Sequence, residues 1–143
     1  MNRYSNHAAK AYANVGLETS AYSANPHQLI SMLLDATLVA IVKAKHHMQK
    51  QELVEKGNAI AHAVTLIDSG LRSSLNFEQG GELASNLDNL YSYMIKQLLN
   101  AHLNNQVELL DEVYKLMNEI KSAWASIASN NQIPSKEFSA VSS

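Results

Sequence analysis

Apolar residues recur along this chain at three- and four-residue intervals in four long runs. That is the period of one face of an α-helix. The first run extends from Pro26 to about Met48, with Ile30, Leu33, Leu34, Thr37, Ile41, Ala44 and Met48 on one stripe. Asn25 is placed to cap it, Pro26 suits the first helical position, and Gln28 stands where a capping box needs it. The second run covers about Glu52 to Leu75, with Leu53, Ile60, Val64, Ile67, Leu71 and Leu75 aligned. SLNFEQGG, residues 74–81, reads as a loop by its Asn and paired glycines. The third run goes from about Glu82 to Leu103, with Leu83, Leu87, Leu90, Tyr91, Met94 and Leu98 inward. Asn104 and Asn105 break the pattern, and the fourth run covers about Gln106 to Ala128. Leu110, Val113, Met117, Ile120, Trp124 and Ile127 share its stripe, which makes Trp124 a core anchor.

Each run is about 22 to 24 residues, near 35 Å of helix at 1.5 Å per residue. Short connections between helices of equal length predict an all-α fold, an antiparallel four-helix bundle over residues 25–128. Residues 1–24 form a short N-terminal cap segment, helical or extended. There Tyr4, Ala8, Ala11, Tyr12 and Val15 fall on one helical face too thin for a core helix. The polar, aperiodic residues 129–143 are expected to be a disordered tail.

Composition sharpens this picture. Five glycines and two prolines in 143 residues leave few breakers, in keeping with the helical reading. The absence of cysteine removes disulfide and thiolate chemistry. A formal charge of -2 gives no electrostatic reason to bind nucleic acid. No apolar run approaches the roughly 20 residues of a membrane span, so no stable membrane insertion is expected. The N-terminus lacks the apolar core of a secretory signal, and a cytoplasmic location is the expectation.

The helices carry more apolar surface than a bundle core needs. Met32, Ala36 and Val39 form a second stripe on helix 1, and Ile95, Leu99 and Leu103 step along the edge of helix 3. Leu66 also points away from the Ile60, Val64 and Ile67 face of helix 2. A helix apolar on two sides is buried on two sides or binds a partner. Packing against neighbouring helices or the leading segment would account for single residues. For the set, a partner groove is favoured, with Met32, Val39, Leu66, Ile95, Leu99 and Leu103 as the contacts.

Catalytic chemistry finds no footing. No Glu-x-x-His, HExxH, P-loop or Ser-His-acid spacing occurs. His46 and His47 are adjacent, hence about 100° apart on a helix, and cannot share a helix-face site. No metal site, cofactor or catalytic residue is expected. His62 lies opposite the core stripe, as in histidine phosphotransfer bundles, but HAVTL, residues 62–66, lacks the lysine those domains place after the histidine. A phosphotransfer bundle using His62 is therefore the alternative, and a weak homodimer through the extra stripes is a third reading.

Three stretches carry a resemblance: SANPHQLISMLLDA (23–36), LASNLDNLYSYMIKQLLNAHLNNQ (83–106) and LLDEVYKLMNEIKSAW (109–124). In order and spacing they resemble the FliS-type flagellin export chaperones, as does a leading segment with two spaced tyrosines. The resemblance covers about residues 4 to 127. Asn25 stands where Ser is common in that family, Leu34 where Tyr is common, and Ala36 where Gly is common. The resemblance implies a cytoplasmic four-helix bundle without enzymatic activity. Such a bundle binds the disordered C-terminal segment of flagellin, which becomes largely helical, prevents premature polymerisation and delivers its cargo to the flagellar type III export gate. It also implies that Tyr4, Tyr12 and Val15 cover part of the binding track until flagellin displaces them.

Overall fold

A computed structural model describes residues 25–130 of the chain. The cap segment with Tyr4, Tyr12 and Val15, and most of the expected tail, lie outside the described residues. Within them the chain is all-α. Helix α1 spans Pro26–Gln49, α2 spans Leu53–Thr65, α3 spans Phe77–Asn104 and α4 spans Val107–Asn130. A π-helical stretch, Leu66–Leu71, and one 3-10 turn, Arg72–Ser74, continue α2. Helix α1 packs against α2 and α4, and α3 packs against α4 and against α2 with its π continuation. The helices thus follow one another around the bundle, with α1 and α3 on opposite corners. Helix α4 runs two residues into the segment expected to be tail.

Local chemistry sets the helix ends. The Asn25 carboxamide accepts from the Gln28 amide at 2.8 Å, and the Gln28 side chain accepts from the Asn25 amide at 3.1 Å. That is the capping box the sequence predicts, with Pro26 in the first turn. Asn76 caps α3 in the same way, accepting from the Gln79 amide at 3.0 Å. Helix α3 therefore begins inside the stretch expected to be loop. The glycines still interrupt it, because Gly81 takes φ 51° and ψ -123°, a backbone open to glycine alone without strain. The kink resets the phase of α3. Ala84 is buried and Leu83, expected inward, is exposed.

The core joins Leu33, Leu34, Ile41 and Ala44 of α1 to Ile60 and Ala63 of α2. Met94 and Leu98 of α3 and Leu110, Val113 and Met117 of α4 complete it. Each buried Leu, Ile or Met contributes roughly 1.5–3 kcal/mol relative to exposure. By length and composition alone α1 is apolar enough to cross a membrane, a property the run-length reading missed. Leu29, Leu33, Leu34, Leu38 and Ile41 instead turn its apolar side into the core of the bundle.

Three further positions, all on α2 and its continuation, depart from the expected pattern. Leu53 is exposed because α2 meets the bundle only from Lys56 onward. Lys56 is 2% exposed, and its ammonium donates to the His102 carbonyl at 3.1 Å and to the Asn105 carboxamide at 2.6 Å. Leu66, expected on an outward face, is fully buried. Leu66 keeps α-helical backbone three residues after the buried Ala63, so the inward line of α2 runs through Ile60, Ala63 and Leu66 rather than through Val64. The π-helical stretch that begins there packs between α1 and α3. Its Leu66, Ile67, Gly70 and Leu71 are all buried. Gly70 permits the approach, since a Cβ there would stand 2.7 Å from Leu33 Cδ2.

Candidate partner-binding faces

Helix α1 supplies the first face. Nine of its residues are buried, so its inward side is fully used. Yet Val39 and Val42 remain 53% and 52% exposed. They line an open groove of roughly 520 Å³ between α1 and α4, with Leu38, Tyr114 and Asn118. Asp35 and Lys121 also line it, paired at 2.7 Å across the two helices. That bond holds the Lys121 ammonium above its ordinary pKa. A second α1–α4 pair, Lys45 to Asp111 at 2.9 Å, sits nearer the other end of α1. The groove is thus an apolar floor bounded by charged side chains. It suits an extended or helical segment with apolar anchors better than a small polar molecule.

Helix α3 supplies the second face. Leu99 is 47% exposed and Leu103 is 75% exposed, whereas Ile95 is half-buried against the core. Two sets of bonds orient this helix. Tyr93 and Gln97 point to α4: the Tyr93 hydroxyl donates to Glu112 at 2.6 Å and the Gln97 amide donates to it at 3.1 Å. Asp88 and the end of the helix point to α2, through Arg72 at 2.8 Å and Lys56. Leu99 lies four residues beyond Ile95 and three before His102, hence on the α2 flank of α3.

The expected contacts therefore sort into three groups. Val39, Leu99 and Leu103 are exposed, Met32 and Ile95 are half-buried at the edge of the core, and Leu66 belongs to the core. Val39 and Leu99 occupy separate flanks, α1–α4 and α2–α3, rather than one continuous stripe. Val42 and Tyr114 escaped the sequence reading. Val42 carries the Met32, Ala36 and Val39 series one step further, and Tyr114 follows Leu110 by four residues off the α4 stripe. Either offset could have found them.

Trp124 is at the edge of the core rather than within it. Its indole stacks on the His27 ring with centroids 4.4 Å apart and planes 11° apart. The indole N–H donates to the His27 carbonyl at 3.0 Å, and His27 Nε2 lies 3.0 Å from the Trp124 carbonyl. This reciprocal clasp ties the start of α1 to the last turns of α4.

Two histidine expectations meet the structure differently. His62 is exposed on α2, on the side its phase predicts. His46 and His47 do come together, contrary to the argument from helix phase. One ring nitrogen of each and a Glu52 carboxylate oxygen all lie within 4.8 Å of one another. The third group comes from beyond the end of α1, which helix phase alone does not consider.

The described residues form an all-helical bundle with a completed core and apolar residues left outside it. Comparison with known proteins gives that bundle a family. Residues 8–131 match the family described as flagellar protein FliS. The chain is 43% identical over 125 residues to the flagellar secretion chaperone FliS of Salmonella typhimurium, covering 87% of this chain and 93% of that one. It is also 43% identical over 125 residues to FliSB of Pseudomonas aeruginosa, covering 87% and 98%. Flagellar secretion chaperone FliS of Bacillus subtilis is more distant, 26% identical over 107 residues, covering 75% and 78%. The chain belongs to the FliS family of flagellar secretion chaperones.

Proposed function

We propose that this chaperone acts in the cytoplasm on the C-terminal segment of flagellin, holds it back from polymerising, and presents it at the flagellar type III export gate. The observation that carries this reading is the Val39 and Val42 pair, half exposed on a helix whose inward side is already full. A second apolar flank at Leu99 and Leu103 supports a ligand that wraps rather than plugs a pocket. A segment disordered when free must offset its ordering entropy with a large contact area, and two separate flanks supply more area than one groove. Met32 and Ile95 contribute their exposed edges to the same contacts. The resemblance carried by residues 23–36, 83–106 and 109–124 points to the same cargo.

The test is calorimetry of the full chain with a flagellin C-terminal peptide. Burying a valine contributes about 1.5–3 kcal/mol, so Val39→Asp should weaken binding by roughly 10- to 100-fold while circular dichroism stays unchanged. Leu99→Asp should act in the same direction. Undiminished affinity in both variants would remove the two flanks from the reading.

The leading segment enters as a competitor. We propose that residues 2–15, through Tyr4, Tyr12 and Val15, occupy part of the apolar surface and yield it to flagellin. Deleting them should raise peptide affinity or drive self-association of the bundle. Unchanged affinity and solubility would exclude that role.

A further inference from the structure

We propose that the turn joining α1 to α2 binds a divalent transition metal of the zinc class through His46, His47 and Glu52. These residues lie outside the two apolar flanks. Adjacent histidines on a helix diverge, so a pair of this kind becomes a chelate only where the chain itself returns to supply another ligand. Here it returns at once. The Lys50 amide bonds the His46 carbonyl at 3.1 Å, and the Gln51 amide bonds the Met48 carbonyl at 3.1 Å. Gln51 then takes the left-handed region at φ 59°, and the Glu52 amide bonds the His47 carbonyl at 2.9 Å. The turn folds Glu52 back over the last turn of α1.

Glu52 is the N-cap residue of α2, yet its side chain caps nothing in that helix. Its carboxylate instead accepts from His47 Nδ1 at 2.7 Å. The His46 and His47 rings stand edge to face with centroids 5.3 Å apart. Two imidazoles and one carboxylate form a common zinc ligand set, with the fourth position left to water. Imidazole donors favour Zn²⁺, Cu²⁺ and Ni²⁺ over Mg²⁺ and Ca²⁺. The ligands sit at the C-terminal, negative end of the α1 dipole, which favours a cation. Against it stands the Lys50 ammonium, close enough to act on the Glu52 charge. Lys45, on the same turns of α1, is engaged by Asp111. On binding, the metal takes the place of the proton between His47 Nδ1 and Glu52, and that proton leaves to solvent. The bound ion cross-links the last turn of α1 to the first residue before α2.

Calorimetric titration of the untagged full chain with ZnCl₂ at about pH 7 tests this, with Co²⁺ absorption as a report of ligand geometry. One ion should bind per chain. His46→Ala, His47→Ala and Glu52→Gln should each weaken binding about tenfold or more, whereas His62→Ala should leave it unchanged. In the unmodified chain, Zn²⁺-induced changes in NMR spectra should centre on His46, His47 and residues 49–53, a readout independent of how any variant folds. Absence of Zn²⁺ binding, equal affinity in Glu52→Gln, or spectral changes centred elsewhere would overturn the proposal.

Discussion

Replacing Lys56 by methionine removes a charge from the interior and leaves acceptors without a donor. The ammonium sits where the start of α2 meets the end of α3, on the His102 carbonyl and the Asn105 side chain. A hydrogen bond from a charged donor contributes about 1.5–3 kcal/mol, and a cation at a helix C-terminus adds about 0.3–1 kcal/mol. Methionine, of similar length, escapes the desolvation that a buried ammonium suffers, which costs several kcal/mol. Asn105 is exposed, so its carboxamide turns to water once the lysine is gone. The two bonds together contribute about 3–6 kcal/mol and outweigh the relief from desolvation, so a loss of about 1–2 kcal/mol is expected, a fall in melting temperature of about 4–8 °C for a domain of this size. Thermal and urea melts followed by circular dichroism measure it, and an unchanged urea slope would show that the native state is otherwise intact. Asn105→Gly isolates one acceptor, because glycine accepts the left-handed φ of 52° found there. The double variant should show a coupling of about 0.5–1.5 kcal/mol. An equal or higher melting temperature for Lys56→Met, with no coupling, would refute the reasoning. Apolar contact alone would then hold this end of the bundle.

Three further outcomes follow from named contacts. Gly70→Ala forces a methyl against Leu33 and should destabilise the bundle by about 1–3 kcal/mol in urea melts. Trp124→Phe keeps the ring face toward His27 and loses the N–H to its carbonyl. About 1 kcal/mol should be lost in urea melts, and amide exchange should quicken at the start of α1. The Tyr93 hydroxyl, with Gln97, holds the Glu112 carboxyl below its ordinary pKa. Its stabilising share is therefore present above the ordinary glutamate range and lost as pH falls through the lowered value. Tyr93→Phe should move the Glu112 pKa upward in an NMR titration and reduce that acid-dependent loss.

The elements that could be read in advance are those governed by local rules. Asn25, Pro26 and Gln28 specify a helix start through bonds confined to four residues, and the capping box is there. Leu33, Ile41, Met94, Leu98, Val113 and Met117 follow an unbroken helical period, and all are buried. What escaped depends on departures from that period or on contacts between distant segments. Leu66 faces inward because the buried line of α2 runs through Ile60 and Ala63, and an alanine carries too little apolar weight to mark that line in the sequence. Leu83 changed sides because the Gly81 kink resets the phase behind it. Lys56 lies four residues before Ile60, on the core stripe, and only its charge argued against burial. The acceptors that make its burial tolerable lie some fifty residues away in sequence, at the end of α3. The His46, His47 and Glu52 cluster was hidden for a related reason: helix phase treats α1 alone, whereas the turn at Gln51 adds the third group. Among the proposed contacts, Val39, Leu99 and Leu103 were legible as apolar residues off the core stripe. Their division between two flanks needed the packing order of the helices.

The central claim is that the two apolar flanks fold a disordered flagellin segment onto this bundle. Isotope-labelled flagellin C-terminal segment, mixed with the unlabelled full chain and followed by NMR chemical shifts, tests it most directly. The account predicts that the segment passes from random-coil to helical shifts at a one-to-one ratio, and that reverse labelling places the largest changes at Val39, Val42, Leu99 and Leu103. A segment whose shifts stay random-coil at saturating chaperone, or changes that leave both flanks untouched, would contradict it.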